Sequence, residues 1–126
     1  MWFTVLMIIK AVVCLGFAPL LLFFPDQLLT LLGSSYGPGA AITAREYGAA
    51  LLGNLVLTWL ARKPEDSVAH RAIVWALFVY DAAALIAMLV IQLQGGMNLL
   101  GWGVVFIYLF FTVGFATVLV PKKKAA

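Results

Sequence analysis

Four runs of predominantly apolar residues, at about 2–24, 42–61, 69–92 and 99–120, dominate this chain and leave only short connectors between them. Each is close to the roughly 20 residues that an α-helix needs to cross the hydrocarbon core of a bilayer. A segment in lipid must satisfy its own backbone hydrogen bonds, so the runs are predicted to be helices. Composition points the same way. Residues are 65% hydrophobic and only 10% charged, whereas an ordinary soluble domain carries about 25% charged residues. A soluble domain of 126 residues would expose too much of its surface to hide that apolar area. The expected architecture is all-α: a single transmembrane domain over 1–126, an integral membrane four-helix bundle with a short interfacial helix after the first span.

Local signals set the expected boundaries. The first helix is predicted from about Trp2 to Phe24, with Pro19 kinking its later half. It is expected to be retained rather than cleaved as a leader, because no basic residue precedes Met1–Ile9 and Lys10 interrupts the apolar run. Phe24-Pro25-Asp26 ends it, and Gln27–Gly33 is too short to cross, which suits a helix lying at the interface. Ser34–Gly39 has turn chemistry. Thr43-Ala44-Arg45-Glu46 matches a capping box that would open the second long helix. Pro64 followed by Glu65 and Asp66 suits the first turn of the third. Gln94–Asn98 forms a tight loop, and Pro121 stops the fourth.

Charge placement gives the orientation. Four crossings bring Arg62, Lys63, Arg71, Lys122, Lys123 and Lys124 to one side, and leave Arg45 alone on the other. The positive-inside rule then puts both termini in the cytoplasm, in a cell inner (plasma) membrane. The pI of about 9.3 is therefore assigned to topology and lipid contact rather than to nucleic acid, for which no partnership is expected. The single cysteine, Cys14, excludes an intrachain disulfide. One histidine, His70, offers no zinc set and no hydrolytic triad. No catalytic residue, metal or cofactor is expected, and the chain is read as non-enzymatic. The two halves do not mirror each other in polar placement, which gives an inverted-repeat transporter no support.

Polar groups deep in a span cost roughly 2.5–3.5 kcal/mol when charged, so each needs a reason. Lys10 lies eight residues past Trp2, about 12 Å along the helix. It can snorkel back toward the start of its helix or pair. Asp81 lies ten residues past Arg71, about 15 Å deep, and its short side chain has no such escape. Equal depth makes a Lys10–Asp81 pair across the bundle the leading structural expectation, either to fix packing or to hold a proton or ligand. Asn54, on one stripe with Tyr47, Ala50 and Thr58, is a third member of this candidate polar site. Ala44 and Gly48, with Ala49 and Gly53, supply four-residue spacing for close helix approach. Arg45 and Glu46 are candidate outer-interface residues. Trp102, Phe106 and Phe110 form an aromatic stripe on the last helix.

The stretch Ala44–Gly53, continuing to Trp59-Leu60-Ala61-Arg62, resembles an element of small bacterial four-helix membrane proteins loosely grouped as DoxX-like. The resemblance covers the second long helix and implies a compact inner-membrane bundle, with no catalytic residues to carry over. The leading functional expectation is an accessory or assembly subunit of a larger membrane complex, touching membrane lipid and other subunits or itself through helix faces. The alternative is a binder or carrier of a small hydrophobic molecule or proton, built around Asp81 and Lys10. A cavity beside Asp81 is the feature that would favour it.

Overall fold

The computed structural model describes residues 2–120. Among them the regular structure is all helical: α1 (Trp2–Phe23), α2 (Pro25–Leu31), α3 (Pro38–Leu60), α4 (Val68–Leu93) and α5 (Gly101–Leu119). Three of these, α1, α4 and α5, are long and apolar enough to cross a membrane. The 23-residue α3 matches them in length, but Arg45, Glu46 and Asn54 break its apolar run. The C-terminal lysines used for orientation lie outside the described residues.

Two sequence expectations are corrected at helix starts. α3 begins at Pro38, with extended Gly37 as its N-cap, one turn before the predicted capping box. A proline at the first helical position loses no hydrogen bond and presets φ, so it nucleates the earlier start. Thr43 is thus inside the helix, and its hydroxyl donates back to the Gly39 carbonyl at 3.0 Å. Glu46 has no cap to complete. At α4 the acids Glu65 and Asp66 lie in the preceding loop, and Ser67 is the N-cap, its Oγ accepting from the His70 amide at 3.1 Å. A serine oxygen satisfies an orphan amide directly, which outweighs dipole attraction to acids. Asp66 instead meets Arg71 at 3.0 Å, both largely exposed, where a pair adds little stability.

The helices associate as two pairs. α1 packs along α3, α4 packs along α5, and α1 touches α5. No Cα atom of α3 or α1 comes within 8 Å of one in α4. Glycines set two of these approaches. A Cβ on Gly48 would sit 3.0 Å from Leu21 Cβ and the Leu22 backbone nitrogen of α1. One on Gly114 of α5 would meet Leu6 of α1 at 2.7 Å. Near the start of α1, Phe3, Leu6 and Met7 close onto Val74, Leu77, Phe111 and Phe115 and tie the pairs together. Toward the other end Cys14, Ala18 and Leu21 cluster with Ala44 and Leu51 of α3, with Leu28 of α2 against them and no residue of α4 or α5 in the cluster. The pairs are therefore joined at one end and parted at the other.

The parted end is bridged by α2 and the α4–α5 loop. Both α2 and α4 finish in the same way, with Gly33 (φ +77°) and Gly95 (φ +79°) in the left-handed region that glycine adopts freely. Gly33 and Ser34 amides return to Thr30 and Leu29 carbonyls, and Gly95 and Gly96 amides to Gln92 and Ile91, the Schellman pattern. Asn98 then clasps α2: its amide nitrogen Nδ2 donates to Leu31 O at 2.8 Å and its backbone N–H to Leu32 O at 2.7 Å. Ser34 Oγ donates to Gly96 O at 2.6 Å.

Candidate functional site

Midway along the helices, Lys10 Nζ of α1 donates to Asp81 Oδ1 of α4. The carboxylate is fully buried and the lysine 3% exposed. The lysine has not turned back to the end of its helix. Its ammonium lies 4.5 Å from the centre of the Phe111 ring and 4.8 Å from that of Tyr80. Aromatic faces attract a cation most strongly where water is excluded. The second oxygen of Asp81 has no hydrogen-bond partner among the described residues.

Three tyrosines converge beside the pair. Tyr47 of α3 has its hydroxyl in hydrogen-bond contact with those of Tyr80 and Tyr108, and the last two are 3.5 Å apart. The triad thus draws one residue from each of α3, α4 and α5. The three depths match because the helices run alternately up and down: Tyr80 is 12 residues from the start of α4, Tyr108 11 from the end of α5, Tyr47 13 from the end of α3.

Above the pair and the triad, between the parted helix pairs, lies a cavity of about 460 Å³. Its walls are almost wholly apolar: Val13, Phe17 and Leu21 of α1, Leu28 and Leu29 of α2, Ala44 and Leu51 of α3, Ala84 and Met88 of α4, Val104 and Ile107 of α5. Lys10, Tyr47, Tyr80, Tyr108 and Phe111 line the polar end, with Cys14 on the wall one turn from Lys10. Asp81 itself stands behind Lys10 and outside the lining. A cavity of several hundred cubic ångströms with apolar walls and a few convergent polar groups is the usual form of a small-molecule site.

The other candidate residues are placed apart from it. Asn54 does not line the cavity; seven residues along α3 from Tyr47, it lies about 10 Å away along the axis. It joins Thr58 instead, whose hydroxyl donates to the Asn54 carbonyl at 2.8 Å. Ala44 and Gly48 face α1, while Ala49 and Gly53 are exposed on the other side of α3. Nothing stands within 4 Å of a Cβ built on Gly53. Arg45 and Glu46 are exposed on the outer surface, two turns into the helix rather than at its mouth. His70 is buried near the joined end, its Nε2 3.3 Å from Ala61 O and its ring edge-on to Phe3. Among the described residues no cluster of His, Cys, Asp or Glu could hold a metal ion.

The tyrosine triad was not singled out from the sequence as a set. In the sequence Tyr47 stands out only on the Asn54 stripe, and Tyr80 and Tyr108 carry no motif. The available signal was depth, since all three fall at the level of Lys10 and Asp81. Comparison with known families, curated proteins and solved structures finds no match to this chain.

Proposed function

We propose that this chain is a four-crossing membrane protein that holds a small lipophilic molecule between its two helix pairs. One observation carries this: an apolar cavity of about 460 Å³ that ends on a buried ion pair and three tyrosine hydroxyls. A structural ion pair alone would be packed over, because interiors are normally filled to crystal-like density. Here the space stays open beside the costliest groups in the fold.

The outer surface supports lipid as the solvent. Val12, Val79, Ile86 and Phe106 are each more than half exposed on three helices, which in water would make a large sticky surface. α3 shows the same face with Ile42, Leu52, Val56 and Trp59 exposed, which supports it as the fourth crossing. Trp2 and Trp59 at one end, and Tyr36 and Trp102 at the other, suit the two interfaces. Arg62 and Lys63 at the joined end support a cytoplasmic location for that end in the inner membrane. In a Cys14→Ala background, cysteines at Ser67 and Ser35 are expected to react with an impermeant thiol reagent from opposite faces. Reaction of both from one face would sink the four-crossing topology.

The binding role is tested by native mass spectrometry after gentle extraction from the native membrane. A small-molecule adduct at fixed stoichiometry is expected, lost in Ala84→Leu, which fills the cavity from α4 while keeping the helix. The same spectrum addresses an accessory-subunit role. Larger protein partners at fixed ratio, with no adduct on the chain, would overturn the binding role in favour of assembly through the exposed face of α3.

A further inference from the structure

The proposed binding role leaves the chemistry of the occupant open, and the polar end of the cavity restricts it. Charge comes first. Lys10 and Asp81 already compensate each other, so an occupant bearing a net charge would introduce a third, unpaired one between almost wholly apolar walls. A cation is further disfavoured because the Lys10 ammonium itself occupies the faces of Tyr80 and Phe111. An anion would have Asp81 directly behind the lysine it sought.

Hydrogen bonding comes second. An ammonium has three donors, and one is committed to Asp81. Besides Asp81, the Lys10 ammonium has only the Tyr80 and Phe111 ring faces, which are weak acceptors, so two of its N–H groups can still take a stronger oxygen acceptor at the cavity's end. The tyrosine hydroxyls bring three hydrogens to two close contacts and one at 3.5 Å. The end of the cavity therefore offers the Lys10 donors and the one hydroxyl hydrogen held only by the 3.5 Å contact, while Asp81 is absent from its lining.

Length comes third. The lining runs along α1 from Lys10 to Leu21, eleven residues or about 16 Å of helix. We infer that the occupant is an uncharged, elongated lipophile with a carbonyl-type oxygen acceptor at one end, the oxygen placed against Lys10 and the tyrosine triad and the apolar body running toward α2. This rests on the cavity being a binding site.

Cys14 provides the readout, since it is 1% exposed and lies on the cavity wall. The purified full chain in lipid nanodiscs is titrated with a dodecyl series: the methyl ketone, the carboxylate at a pH where it is ionised, the primary amine as its ammonium, and the alkane. Protection of Cys14 from methyl methanethiosulfonate is followed by mass, and each probe's membrane concentration is fixed by its measured partitioning. The ketone is expected to protect at a concentration at least about ten-fold lower than the carboxylate, the ammonium or the alkane. Tyr108→Phe, which keeps the ring, should weaken the ketone several-fold and leave the alkane unchanged. Equal or better protection by either ion would overturn the assignment of an uncharged occupant. Equal protection by the alkane would overturn the role of the polar end. Protection by none of the four would instead remove the binding role on which the inference rests.

Discussion

Replacing Lys10 with methionine is expected to cost the fold about 3–5 kcal/mol, the largest effect of any single substitution described for this chain. The reason lies in what is left behind. Asp81 is fully buried, with one oxygen on Lys10 and the other unpartnered. Without the lysine it must stay ionised and unpaired, or take up a proton at neutral pH. The double variant Lys10→Met with Asp81→Val removes both charges at closely similar volume and should recover most of the loss, since an apolar replacement of a buried pair is often neutral or better. Reversible unfolding in mixed micelles would give the two numbers. A single variant as stable as the wild type, or a double variant no better than the single, would mean that the pair is not the buried, mutually dependent unit described here. The double variant should also fold with an unreceptive cavity, which separates stability from binding.

The second large effect is expected at Gly48. Its missing side chain lets α3 lie against α1, where even a Cβ would stand 3.0 Å from the Leu22 backbone nitrogen. Gly48→Val should therefore force the pair apart and cost about 2–3 kcal/mol by overpacking. Gly53→Val makes the same chemical change five residues along the same helix, on the exposed face where nothing approaches within 4 Å. It should change stability by less than about 0.5 kcal/mol. Comparing the two by thermal unfolding cancels the intrinsic helix preference of valine. Equal effects at the two sites would show that the α1–α3 contact does not set the tolerance at Gly48.

These two positions also show what sequence could and could not resolve. Depth along a helix is a one-dimensional quantity, and counting residues placed Lys10 and Asp81 at one level, where the structure joins them. Rotation about the helix is harder. Ala44–Gly48 and Ala49–Gly53 have identical spacing, yet only the first pair faces α1. Small-residue spacing says that a close approach is possible, not which face receives the neighbour. Asn54 failed to join the site for a reason of depth, lying about two turns from Tyr47. The helix starts moved because Pro38 and Ser67 act through their own backbone or hydroxyl, a stronger local effect than the Thr43–Glu46 pattern or the loop acids. The cavity had no sequence signal of its own. It arises from the parting of two helix pairs, a property of how α2 and the Asn98 clasp hold their ends.

Under the proposed binding role in a membrane, the wide separation of α3 from α4 has a consequence for supply. No backbone contact closes that side, and midway along it the hydroxyls of Tyr47 and Tyr80 are what meet. Rotation of these two side chains can open such a join with no helix moving. A molecule already dissolved among the lipid tails would then reach the cavity sideways, without passing through water. The relevant concentration is its mole fraction in the bilayer, and each added methylene enriches it there about four-fold. A modest contact at Lys10 and the tyrosines would suffice to keep the chamber filled. Apparent tightness measured from the aqueous side would mostly report partitioning, and selectivity would reside in the few polar atoms at its end.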